Sequence, residues 1–103
     1  MTYEKINSIL TEFNHPYAYY NFEKEVNSDI YVAYYETGTD SFGADNKTFS
    51  SDIRFTVELY APKKNIATEK ALTDIFDRES VFWERGPQGK IESESMYLTI
   101  FYV

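Results

Sequence analysis

The sequence contains no cysteine. That removes a disulfide framework, a thiolate nucleophile and a cysteine zinc site together, and a small domain without such staples suits the cytosol. Histidine occurs once, at His15, so any triad or general-base scheme that needs imidazole has to run through that residue. It stands just before Pro16 at an expected helix end, where a cation near the helix carboxyl terminus or a solvated loop side chain is the simpler role. Basic residues are scarce as well: 10 Lys and Arg face 17 Asp and Glu, for a net charge of -7 and a pI near 4.6. Binding nucleic acid through phosphates demands clustered Lys and Arg, so this balance argues against it. An acidic surface would instead let DNA slide past without sticking.

Long apolar runs are missing too, and no stretch approaches membrane-spanning length. The opening "MTYEKINSIL" carries Glu4 and Lys5 and then an amphipathic pattern rather than the charged start, apolar run and cleavage site of a signal peptide. The expectation is a soluble protein, made and used without export and without a membrane partner. Internal repeats, low-complexity segments and linkers are absent, so residues 1–103 read as a single domain. A chain of that size buries about two-thirds of the surface its unfolded form exposes.

Aromatic residues are abundant: 10 Tyr and 8 Phe bring the aromatic share to 18%. That exceeds what one small core absorbs, which puts some rings on the surface, where interfaces favour them. Equally, aromatic residues suit the pleated, half-buried positions of strands. Composition leaves both readings open.

Along the chain, Tyr3, Ile6, Ile9, Leu10 and Phe13 recur at helical spacing behind a Thr2 N-cap, and His15-Pro16 is expected to end the helix. "AYYNFEKEV" from Ala18 is short and ambiguous, whereas "DIYVAYYET" (residues 29–37) is rich in β-branched and aromatic residues and reads as a strand. Ile30, Val32 and Tyr34 would share one face and Tyr31, Ala33 and Tyr35 the other. With neither face fully polar, that strand belongs in the middle of a sheet or at a subunit contact.

A connector from Gly38 to Phe49, longer than a tight hairpin needs, is expected to be a loop that makes contacts between subunits. Beyond it Ile53, Phe55, Val57 and Leu59 alternate with Arg54, Thr56, Glu58 and Tyr60, a strand with one apolar face. Asn65 can cap a second helix to about Asp77, with Ala67, Ala71, Leu72, Ile75 and Phe76 at helical spacing. "VFWERGPQGKIE" reads as a short strand (residues 81–84), a turn carrying Gly86, Pro87 and Gly89, and a return. "SMYLTIFYV" closes the chain as an apolar strand that has to be covered. The predicted architecture is α+β: a mainly antiparallel sheet of about four strands with two helices on one face, in the order α-β-β-α-β-β.

No motif nominates catalytic chemistry, and the chain is expected not to be an enzyme. Carboxylate pairs occur at Glu23 and Glu25, at Glu92 and Glu94, and across Asp40 and Asp45. Such pairs could in principle flank a glycosidic bond, but an acidic chain produces them by chance, and hydrolysis by Glu92 and Glu94 stands only as a formal alternative. "DSFGADNK" gathers oxygens around Gly43 without the ligand spacing and helical flanks of an EF-hand. "GPQG" lacks the Lys, the hydroxyl and the strand-to-helix setting of a phosphate loop. No cofactor, metal or small-molecule substrate is expected.

The segment "HPYAYYNFEKEVNSDIYVAYYETGTDSFGADNKTF" resembles one found in small proteins encoded among the head and tail genes of long-tailed bacteriophages and prophages of Gram-positive hosts. "FTVELYAPKK", the helix with Glu69, Leu72 and Phe76, and "IESESMYLTIFYV" continue the likeness over most of the chain. Proteins of this kind look like tail-completion or head-tail joining proteins of the tail terminator class. The resemblance implies a small α+β subunit that forms a homo-oligomeric ring, often a hexamer, at the head-proximal end of the tail tube. Its partners would be copies of itself, the tail tube protein and head connector proteins, with DNA passing through unbound. Its location would be the virion, and the host cytoplasm during assembly. On this reading Phe42, Asp45, Asn46, Lys47 and Phe49 would reach a neighbour or the tube, and Tyr31 and Tyr35 would serve subunit contacts. The rival reading is a small acidic binding module, an inhibitor or nucleic-acid mimic acting on a basic partner.

Overall fold

The chain, as a computed structural model, is described at residues 1–22, 28–44 and 47–103, with side chains described outside 40–51. Helix α1 (Tyr3–Phe13) starts where the Thr2 hydroxyl accepts a hydrogen bond from the Lys5 amide at 3.1 Å. It buries Ile6, Ile9, Leu10 and Phe13. It ends one residue before His15-Pro16, at Asn14, whose left-handed φ of 64° is a conformation Asn tolerates at helix ends. In helix α2 (Ile66–Arg78) the Asn65 side chain accepts from the Thr68 amide at 3.1 Å. Leu72, Ile75 and Phe76 are buried as their spacing implies. Ala67 and Ala71 are exposed, however, and Glu69 and Thr73 take the buried positions instead.

The described residues form five strands: β1 (Tyr17–Tyr19), β2 (Tyr31–Ala44), β3 (Lys47–Ala61), β4 (Glu84–Ile91) and β5 (Met96–Tyr102). They lie in one sheet in the order β1-β2-β3-β5-β4. The α+β class holds, but the expected four-stranded antiparallel sheet becomes a mixed one of five, in the order α-β-β-β-α-β-β. The added strand is β1, which runs parallel to β2 with Tyr17 opposite Val32 and Tyr19 opposite Tyr34. It is short because Tyr20 takes a φ of 71° and leaves the strand.

The expected loop from Gly38 to Phe49 is a second correction. Strands β2 and β3 stay paired past the rest of the sheet, through Asp40 opposite Asp52 and Phe42 opposite Ser50 to Ala44 opposite Lys47. Only positions 45 and 46 separate them. Backbone hydrogen bonds need no apolar side chains, so a stretch of Gly, Ser, Thr and Asp can be held extended by its partner strand. Register shifts at Glu36/Gly38 and Phe42/Gly43 mark where the ladder slips.

The "GPQG" segment is also not a turn. It lies within β4, and Pro87 falls in the register shift between Arg85 and Gln88 on the outer edge of the sheet, where a missing amide costs no ladder bond. Residues 81–83, expected in a strand, precede β4 without belonging to it. The reversal is made instead by a single 3-10 turn at Glu92–Glu94, followed by Ser95 at φ 53°.

Both helices pack on the same face of the sheet. Their buried residues join Val32, Tyr34, Phe55, Val57, Leu59 and Phe101 in one core, and an Arg78–Glu12 ion pair ties α2 to α1. Trp83 closes the α2 side, its ring 6.0 Å from Phe101 and its Nε1 donating to Asp77 at 2.8 Å.

Candidate functional site

Among the described residues no helix covers the opposite face of the sheet, and its composition follows from strand alternation. While Val32, Val57 and Phe101 point toward the helices, their neighbours Tyr31, Ala33 and Tyr35 of β2, Thr56, Glu58 and Tyr60 of β3, and Leu98, Ile100 and Tyr102 of β5 point away. Ile91 and Met96, paired at the end of β4 and β5, extend the strip. Most of these side chains are half-buried by one another, so the face is a largely apolar and phenolic sheet surface with Thr56 and Glu58 set into it.

Aromatic contacts organise one end of it. Tyr31 stacks on Tyr60 with centroids 4.8 Å apart and planes 14° from parallel. Phe22 stands at right angles to Tyr31 at 5.5 Å, and Tyr20 tilts against Tyr35 at 5.4 Å. Tyr20, Phe22, Tyr31 and Tyr60, with Asp29, Glu94 and Met96, line a cavity of about 470 Å³. The Tyr60 hydroxyl donates to Glu58 Oε1 at 3.1 Å. Burial, then the charge of Glu58 and the bond to it, raises the Tyr60 phenol well above its ordinary value; Tyr31 and Glu94 add to the effect. Burial also raises Tyr31, with Glu94 contributing. Both phenols therefore stay neutral, able to donate a hydrogen bond.

The sheet's lateral edges are less inviting than its face. β1 is only three residues long. β4 carries Pro87, a register shift and the charged Glu84, Arg85 and Lys90, features that discourage edge-to-edge pairing. Behind β4, Lys64 Nζ lies 2.8 Å from each oxygen of the buried Glu69 carboxylate and also donates to Gln88, which accepts from Tyr97 at 3.0 Å. This network pins α2 to the end of the sheet. A larger groove of about 650 Å³ lies on the other side, between Lys5, Arg54, Phe82 and Tyr102. Phe82 there is 80% exposed.

The features weighed for chemistry and set aside are scattered. His15 packs against the Phe13 ring at 4.7 Å. Among the described residues no three His, Cys, Asp or Glu side chains come together as a metal site would require, and no helix is long and apolar enough to cross a membrane. Glu92 and Glu94 sit exposed on the 3-10 turn. Glu23 and Glu25 lie outside the described residues.

No protein-family model matches this chain, and no curated protein matches it closely enough to count as a relative.

Of the residues singled out from the sequence, Tyr31 and Tyr35 both lie on the open face. Phe42, Lys47 and Phe49 fall in the paired β2–β3 extension, with side chains outside the description, and Asp45 and Asn46 lie outside the described residues altogether. Tyr60 and Phe22 escaped sequence reasoning as site residues, and Glu94 was singled out only as half of a carboxylate pair. The one signal available for Tyr60 was its place on the outward side of the best-patterned strand.

Proposed function

We propose that this chain is a non-enzymatic assembly subunit of the tail terminator or head-tail joining type, forming a homo-oligomeric ring at the head-proximal end of a phage tail. The observation that carries this reading is the two-stranded arm. Residues 38–44 and 47–54 run on as an antiparallel ribbon beyond the strands that flank it, since β1 pairs only with Val32–Tyr34 and the backbone pairing that continues β5 reaches only to Phe55, opposite Val103. An isolated two-stranded ribbon is marginal in water, so an arm of this length suits a part that is completed by another subunit. The apolar strip through Leu98, Ile100 and Tyr102 supplies a landing area for such a neighbour. A contact between two different patches of like subunits closes into a ring when the rotation permits. The resemblance of "YYETGTDSFGADNKTF" and "IESESMY" to phage tail-completion proteins points the same way.

Electron microscopy of particles from a phage deleted for this gene tests the reading. Separate full heads and tails, with tubes of irregular length, are the expected outcome. Normal joined particles would refute it and bring forward the acidic binding module.

A further inference from the structure

The cavity at the Tyr31 end of the open face has a chemistry of its own. Its floor is the stacked pair Tyr31–Tyr60, its walls include Phe22 and Met96, and its rim carries Asp29 and Glu94. None of the described residues lining it is Lys or Arg. Aromatic rings hold a cation by the negative charge of their faces, and carboxylates beside them add ordinary attraction. An uncharged apolar ligand would bury the rings but leave both carboxylates facing it. An anion would meet repulsion from Asp29 and Glu94, the charged groups among the described residues of the rim.

We propose that this cavity binds an arginine side chain presented by a partner protein. Arginine fits better than lysine because its planar guanidinium is weakly hydrated and stacks on rings, while its nitrogens reach carboxylates from the same position. The partner differs from this chain. Each copy carries a net charge of -7, so two copies meeting at an acidic rim repel, whereas a basic partner is drawn to it. The site lies within one subunit and at the end of the sheet away from the arm, so it stands or falls independently of the ring.

The test is a nuclear magnetic resonance titration of the full chain with N-acetylarginine amide, using the isosteric but uncharged N-acetylcitrulline amide as control. Saturable shifts at the Met96 methyl and the Tyr31 and Tyr60 rings are expected with arginine, with affinity for citrulline at least about tenfold weaker. Asp29→Asn and Glu94→Gln change exposed side chains and leave the fold intact, so their effect reads binding alone. Each should weaken arginine about fivefold, as the loss of a partly solvated ion pair worth about 1 kcal/mol implies. Equal binding of citrulline, or undiminished affinity in the Asp29→Asn/Glu94→Gln double variant, overturns the proposal. So do concentration-dependent shifts at the same rings in the protein alone, which would place a second copy in the cavity.

Discussion

Among single residues, Gly86 and Tyr102 show how closely the open face is fitted. A Cβ built on Gly86 would lie 2.6 Å from the Tyr102 ring, inside any permitted contact, so the ring rests on bare backbone in the β4 bulge. Gly86→Ala should lower stability by about 1–3 kcal/mol, as overpacking does, and should cost less when Tyr102 is already alanine. Equal cost in both backgrounds, measured by urea unfolding, would show that backbone conformation and not the ring is the reason for glycine. Tyr60 makes a pH-dependent contribution. Its folded phenol titrates above the ordinary value of 10.0, chiefly through burial and then Glu58. Stability tied to it is therefore fully present below that pH and is lost as pH rises through the folded value. Tyr60→Phe should flatten the decline of urea midpoints above pH 10.0, and an unchanged slope would assign alkaline unfolding to other groups.

The elements differ in how plainly the sequence announces them. Both helices are legible because capping and periodicity agree: Thr2 and Asn65 accept the amide bonds their positions imply, and Ile6, Leu10, Leu72 and Phe76 are buried. The arm is not, because Gly38, Asp40, Gly43 and Ser50 carry no strand pattern and are extended only by pairing with the opposite strand. "GPQG" misleads for the related reason that turn residues also suit a bulged edge. The aromatic cavity was equally hidden. Phe22, Tyr31, Tyr60 and Glu94 come from four separate segments, and only the order of the sheet, which sets β1 beside β2 and brings the turn before β5 next to β3, unites them. The arm carries a prediction. Removing residues 41–51 and joining Asp40 to Asp52, which are register partners, through Asn-Gly makes a tight hairpin. The melting temperature should change by no more than about 4 °C while oligomers are lost from native mass spectra. A large drop in melting temperature would make the arm part of the monomer's own stability.

Taken whole, the molecule is longer than its chain length requires. Its radius of gyration is 14.9 Å, against about 13 Å for a compact chain of this size, and its extents of 51 × 27 × 23 Å set one long axis against two short ones. The sheet order also has a consequence in time. β2 with β3 and β4 with β5 are hairpins of neighbours in sequence, but the seam between β3 and β5 joins Thr56 to Tyr102 and Ala61 to Tyr97, across the whole of α2 and β4. Closing that separation costs chain entropy before any contact repays it. The two halves should thus form first and zip together afterwards. Truncating Val57 and Phe101, which face each other across the seam, should speed unfolding and leave refolding nearly unchanged, whereas slowed refolding would place the seam in the nucleus. Until it closes, the apolar row of β3 has no second neighbour, and the chain's exposure to misassembly is set by the lifetime of that half-zipped state.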